Sequence, residues 1–216
     1  MSLATDGFAV DSLSLGPIDS GTSILLTGED ADTLQAVFSQ LVAAADDERS
    51  IVLSTGSGGR AVQRDLNSAR TGAGNRASVL TCEGPASGDD IQSVDDISDL
   101  TRLGMDFSTL VASAQQGSGR FRSGIMLCST IASEIEDTRS LYRFLNSNFL
   151  TELRRGDGIG VCALDTSADI GADMSSTISG LQTSFAAHIE VEKTGPGQAT
   201  LTVDGLDGED TVDVDL

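Results

Sequence analysis

The sequence predicts an α/β fold in one domain: a mostly parallel central sheet, helices on both faces, and an antiparallel C-terminal hairpin at the edge. Three observations predict it. Apolar runs of strand length alternate with stretches in which apolar residues recur at helical spacing. Those early runs are near-continuously apolar, as strands covered on both faces are. From residue 187 onward the pattern changes to alternation, in HIEVEK and ATLTVD, which reads as a hairpin.

The 216 residues suit one domain with a full core. Residues 1–20 hold no sustained period and are punctuated by Gly16 and Pro17. The core is therefore expected over about 18–206, with 1–16 as a flexible lead. Residues 23–27 form the first strand. Leu34, Val37, Phe38, Leu41 and Val42 then mark one buried stripe of a helix, ended by Asp46-Asp47-Glu48-Arg49. A second strand at 51–53 leads into the loop Gly56-Ser57-Gly58-Gly59 and a short helix at 61–66. After the loop SARTGAGNRA comes a third strand at 78–82. Residues 84–96 are rich in Gly, Ser and Asp and are expected to cross the surface as loop. Leu100, Leu103, Phe107, Leu110 and Val111 mark the next helix, closed by the glycines at 117–119. A fourth strand at 123–128 reads SGIMLC. The following helix, 137–155, carries Tyr142, Leu145, Phe149 and Leu153 on one stripe. Arg154 and Arg155 suit its negative end, and Gly156 suits the position after its cap. A fifth strand at 158–164, an acidic loop, and a short helix at 177–183 complete the α/β alternation. TGPGQ is the hairpin turn between the last long strands, and TVDVDL reads as a final strand.

Charge is the outlying property. The net charge is -20, from 33 acidic and 13 basic residues, and Lys193 is the single lysine. The apolar segments rule out a disordered acidic chain, so the charge belongs to a folded domain's surface. Such a surface repels itself in dilute buffer and is screened near 1 M salt, where the Debye length is ~3 Å. This composition resembles that of cytosolic proteins from salt-in halophilic archaea. Scattered arginines on an acidic background exclude nucleic acid as a partner. No apolar run approaches the ~20 residues of a membrane span, and no secretory signal is visible, so a cytoplasmic protein is expected. Cys82, Cys128 and Cys162 share no metal-ligand spacing and read as reduced, buried thiols. His188, the single histidine, reads as structural rather than catalytic, and no metal site is expected.

In such sheets ligands bind outside the carboxyl ends of the strands, here after Thr27, Leu53, Cys82, Cys128 and Leu164. The first of these tips begins at Gly28 and reads GEDADTLQ. A phosphate-binding P-loop reads G-x-x-x-x-G-K-[ST]. Thr33 stands at its second glycine, Leu34 at its lysine and Gln35 at its hydroxyl. Glu29, Asp30 and Asp32 favour the helix dipole and repel a triphosphate. An ordinary acidic helix start accounts for the stretch equally well. At the second tip Gly56, Gly58, Gly59 and Arg60 offer a small anion nest, or a plain glycine-rich turn. The fourth tip ends in Cys128 where phosphate chemistry wants a metal-binding Asp, and the fifth has a lone Asp165.

The whole pattern resembles the RecA-like ATPase superfamily, in particular its KaiC/RadA-type archaeal branch. GTSILLTG, DLTRLGMDFSTLV, GIMLCST and FLNSNFLTELRRGDGIGVCALD carry the likeness, and uncharacterised haloarchaeal proteins with a degenerate P-loop share it. The resemblance implies a RecA-like three-layer sandwich whose active relatives bind Mg-ATP between subunits. It also implies a catalytic Glu where Thr55 or Gly56 stands. With lysine, hydroxyl, metal ligand and base all replaced, no catalytic residue and no cofactor are expected. The expected function is that of a non-catalytic pseudo-ATPase, regulatory or scaffolding, with a protein partner or a homo-oligomer. The alternative is a nucleotide sensor that binds without hydrolysis, through Gly56 to Arg60. An unrelated enzyme on the same frame ranks last.

Overall fold

The computed structural model describes residues 7–117, 119–135, 137–208 and 210–216. In chain order its elements are β1 (Ser23–Gly28), α1 (Ala31–Val42), β2 (Glu48–Ser54), α2 (Gly59–Ala69), β3 (Ala77–Thr81), β4 (Ile91–Ser93), α3 (Leu100–Gly117) and β5 (Arg120–Met126). There follow α4 (Cys128–Glu134), α5 (Thr138–Phe144), α6 (Leu150–Arg155), β6 (Asp157–Asp165), α7 (Met174–Gln182), β7 (Ala187–Gly195), β8 (Gln198–Asp204) and β9 (Thr211–Asp215). One nine-stranded sheet runs β4-β3-β2-β5-β6-β1-β7-β8-β9. Its strands are parallel from β4 to β7, and β8 and β9 continue it antiparallel. The expected α/β architecture is therefore present, edge hairpin included.

Two apolar layers sandwich the sheet. On one face α1, α2 and the N-terminal segment cover Ile24, Leu26, Val52, Val79 and Val161. On the other, α3 to α7 cover Leu25, Ile51, Leu53, Ile125 and Cys162. Close approach requires glycine at two sheet positions. A methyl group at Gly124 would run into Phe38 and Val42 of α1, and one at Gly160 into Leu153 and Phe149. Phe149 lies at the centre of the second layer, with ring centroids 5.8 Å from Phe107 and 6.4 Å from Phe185.

Several expectations are corrected. Residues 7–16 contribute to the core: Phe8, Val10 and Leu13 are buried, and Phe8 pairs with Ile18 across an antiparallel bridge. Three buried residues are too few to show a period; residues 1–6 lie outside the described residues. The 84–96 stretch contains β4, parallel to β3. The 137–155 helix is three pieces, because Leu145–Phe149 between α5 and α6 is wound as a π-helix. The fourth strand stops at Met126. Leu127 turns left-handed (φ 61°), and Cys128 opens α4 instead of ending the strand.

At the amino ends of the strands lies a buried ion pair. Arg122 of β5 is fully buried, and Glu48 at the start of β2 is 3% exposed. Arg122 Nε donates to Glu48 Oε2 at 2.6 Å, Nη1 to the Leu41 carbonyl at 3.0 Å, and Nη2 to the Ala9 carbonyl at 3.0 Å. The Ala45 N–H adds a further bond to Glu48 at 2.9 Å. One guanidinium thus ties β5, β2, the end of α1 and the N-terminal segment together. Arg120 stacks on Phe8 beside it, 4.4 Å from the ring centroid. Cys128 and Cys162 are buried, and burial together with their mutual contact pushes the Cys162 thiol well up.

Candidate functional site

The connection from β1 to α1 is two residues, Glu29 and Asp30. A loop that wraps a phosphate needs several consecutive backbone N–H groups facing one centre; two residues do not supply them. Asp30 caps the helix instead. Its Oδ1 accepts from the Thr33 N–H at 2.9 Å and the Thr33 hydroxyl at 2.6 Å. Its Oδ2 accepts from Lys193 Nζ at 2.8 Å. The Lys193 ammonium and the Thr33 bonds hold the Asp30 carboxyl well below the usual carboxylate range, and Asp30 in turn raises Lys193. The chain's one lysine, from β7, and the positive end of α1 therefore converge on a carboxylate of the protein itself.

The other residues of this tip are committed to packing. Leu34 is fully buried in the core beneath α1. Gln35 turns toward α2 and donates to Asp65 at 2.6 Å. At Gly28 an added methyl would press on the Val191 carbonyl at 3.0 Å.

At the second tip Gly56, Gly58 and Gly59 all lack positive φ, so the alternation of right- and left-handed residues that builds a nest is absent. The Ser57 carbonyl accepts from the hydroxyls of Ser54 at 2.8 Å and Thr81 at 2.9 Å. Gly58 caps α2, and Gly59 is packed against Ile91. Arg60 reaches sideways to the Ser87 hydroxyl at 2.7 Å. Thr55 is buried, with its hydroxyl donating to the carbonyls of Met126 and Leu127. Asp165 forms a local turn, accepting from the Ser167 N–H and hydroxyl. Among the described residues no group of three His, Cys, Asp or Glu could hold a metal ion.

What does open at the carboxyl ends is a cavity of about 830 Å³ between β1, β7 and α7. Its floor is a hydrogen-bonded row that the sequence did not reveal. The Gln182 amide donates to His188 Nδ1 at 2.9 Å, so Nε2 carries the proton and donates to Thr27 Oγ1 at 2.8 Å. Burial pushes the His188 pKa down, against the pull of Glu190 and Asp204. Because the folded value lies below the unfolded one, this neutral imidazole contributes stability that is complete above the unfolded pKa of ~6.5 and is lost as pH falls through the folded value. A titration of the His188 ring by NMR is expected to give a midpoint below that of a denatured reference, and Gln182→Ala is expected to move it. The cavity's rim carries Glu29, Asp30, Glu190 and Glu192 against Lys193 alone. Its size suits a small ligand; its charge repels a polyphosphate.

A model of a family of unknown function, DUF7504, matches residues 21–191. No curated protein matches. Among solved structures, the chain is similar to the flagellar accessory protein FlaH of Methanocaldococcus jannaschii, with TM-score 0.59 and 11% identity over 97% of this chain and 91% of that one. A KaiC-like protein, PH0186, of Pyrococcus horikoshii gives TM-score 0.55 and 14% identity over 94% of this chain and 88% of that one. Protein PH0250 of the same archaeon gives 0.56 and 9%, over 89% and 90%. At such identities the likeness establishes the fold alone, and that fold is RecA-like. No helix among the described residues is long and apolar enough to cross a membrane. With its match running from the first strand of the sheet into the seventh, the chain belongs to DUF7504, a family of unknown function built on the RecA-like fold.

Proposed function

We propose that this chain is a pseudo-ATPase: a RecA/KaiC-like domain that neither hydrolyses nor binds nucleotide and serves as a regulatory or scaffolding protein. The observation that carries the reading is the β1–α1 junction. A two-residue connection leaves no phosphate cradle, and Asp30 occupies the helix N-terminus together with Lys193. The acidic rim of the cavity adds repulsion where phosphates would sit. The positions that a P-loop gives to lysine and hydroxyl, Leu34 and Gln35, serve the core and a contact to α2. On this reading the degenerate P-loop is a structural helix start. The fold is kept for its surfaces, which meet a protein partner or further copies of the chain. The acidic composition, with one lysine, supports a cytoplasmic setting in a halophilic archaeon.

One observation favours a second reading, a nucleotide sensor. Lys193 brings an ammonium to the N-terminus of α1 from a distant strand, which is the charge a bound phosphate would need. Binding would require phosphate to displace Asp30 from both Lys193 and Thr33.

Thermal unfolding in molar KCl, with and without millimolar Mg-ATP, ADP or GTP, decides between them. A ligand at a hundredfold excess over its Kd stabilises by ~2.7 kcal/mol, a shift of about 5–10 °C at this chain length. No shift is expected. A shift of that size, abolished by Lys193→Ala, would overturn the pseudo-ATPase reading in favour of the sensor.

A further inference from the structure

The sheet ends in a free edge. β9 lies last in the strand order and pairs with β8 alone. Val212 and Val214 are buried in the layer under α1 and the N-terminal segment, so the strand is held in one register. Antiparallel strands turn their main-chain groups inward and outward at alternate residues. The Leu216 N–H donates to the Gly197 carbonyl at 2.7 Å, and the Asp210 carbonyl accepts from the Val203 N–H at 2.8 Å. Both residues face β8, and by alternation so do Val212 and Val214. Thr211, Asp213 and Asp215 therefore present N–H and C=O on the outer side, where no main-chain group meets them among the described residues. The opposite edge differs: β4 is three residues long, and Ser87 already bridges to its Ile91.

Charges on an edge strand ordinarily guard it against pairing. The guard here is Asp213 and Asp215, and both lean back over the sheet. Asp213 accepts from the Thr200 hydroxyl at 2.6 Å and Asp215 from the Gln198 amide at 3.1 Å. Each side chain is drawn toward β8 and away from the outer main-chain groups. What remains of the guard is charge, and charge is screened in molar salt, where the Debye length is ~3 Å against ~10 Å at 0.1 M. The three outward residues are centred on Asp213. A two-fold axis at that point sets Asp213 against its own counterpart in a second copy, and Thr211 against Asp215. Each such pair exchanges two main-chain bonds, about six in all. On the α1 side of the sheet the same axis puts Val212 of one copy beside Val214 of the other. That is a β-branched cross-strand pair, which salt does not screen.

We infer that in molar salt β9 pairs antiparallel with β9 of a second copy, joining two sheets into one. The contact is isologous and uses up the free edge, so it closes as a dimer. The inference deepens the scaffolding reading and rests on it for its purpose. β9 is three strands away from β1, so the β1–α1 junction takes no part in the contact. The five residues of β9 are ~17 Å long. Such a seam is smaller than the ~800 Å² per partner of a standard stable interface, so the dimer is weak and concentration-dependent. It strengthens as salt rises, because like charges directly opposite each other are what oppose it.

Sedimentation velocity on the full chain, over a wide concentration range at about 0.1 M and about 1 M KCl, tests it, with circular dichroism confirming the fold in each. The wild type is expected to dimerise in the higher salt and to be monomeric in the lower. Asp213→Pro removes the outward N–H at the axis, and proline is tolerated on an edge where the N–H faces solvent. It is expected to weaken the dimer at least tenfold in about 1 M KCl. Asp213→Asn removes the opposed charges and is expected to bring the dimer back in the lower salt. Asp213→Cys reads the register. A hydrogen-bonded pair sets its Cα atoms ~5.5 Å apart, within disulfide reach, so the oxidant diamide is expected to cross-link this variant. Thr211→Cys would stand ~14 Å from its own counterpart and is expected to stay uncross-linked. A wild-type monomer in the higher salt overturns the proposal. So does a dimer untouched by Asp213→Pro, or equal cross-linking of the two cysteine variants. Should Asp213→Pro lose its fold, the cross-linking contrast decides. A nucleotide-induced thermal shift is read separately, so failure of the dimer and failure of the nucleotide-free reading remain distinguishable.

Discussion

Arg122→Met is expected to lower the unfolding free energy by about 3–5 kcal/mol, the usual consequence of leaving one member of a buried ion pair without its partner. For a chain of this length that is a fall in Tm of roughly 10 °C or more. The reason is positional. Glu48 is 3% exposed, and in the variant its carboxylate keeps the Ala45 N–H but loses both guanidinium bonds. Adding Glu48→Leu to Arg122→Met is expected to recover part of the loss, since an apolar pair removes the stranded charge. Recovery stays incomplete because the Leu41 carbonyl also accepted from Arg122, and an unsatisfied buried acceptor costs about 1–3 kcal/mol. Urea denaturation of the wild type, both single variants and the double variant closes the cycle. A double variant no more stable than Arg122→Met would show that the pair itself is not the source of the loss.

Phe149→Ala is expected to cost a similar ~3–5 kcal/mol, by a different route: a cavity in the helical layer. Phe149 is fully buried between Phe107 and Phe185, and it fills the space that Gly160 leaves open on β6. Phe149→Leu, which keeps most of the volume, is expected to lose much less. Equal losses for both would mean that ring stacking, not volume, holds this layer. Denaturant midpoints measure both.

The architecture was legible because burial on two faces leaves a compositional mark. SILLTG and IVLS are short apolar runs bounded by turn residues, which read as interior strands, and helices α1 and α3 carry their stripes openly. The candidate site was legible only in its local half. Asp30 with Thr33 three residues on is a capping pattern visible in sequence. Lys193 is 163 residues away from Asp30, and His188 is 161 away from Thr27; both meetings follow from the β1–β7 register, which no local pattern encodes. Glu48 and Arg122 were hidden for the opposite reason. Charges at the ends of apolar runs are normally exposed, so DDER reads as a surface turn and the fourth strand as starting after Arg122. The burial of both follows from their pairing, 74 residues apart.

The order of the sheet has a consequence for how the chain acquires its shape during synthesis. β1 is the earliest strand made, yet both of its neighbours, β6 and β7, begin only at Asp157 and Ala187. At ribosomal rates of about 5–20 residues per second, the apolar β1 waits on the order of ten seconds before either flank exists. Contacts this distant in sequence also slow folding once the chain is complete. The centre of the sheet thus closes only after β2 to β5 have been made, and only the β8–β9 edge follows it. Over that interval the exposed SILLTG segment needs protection from pairing with other nascent chains.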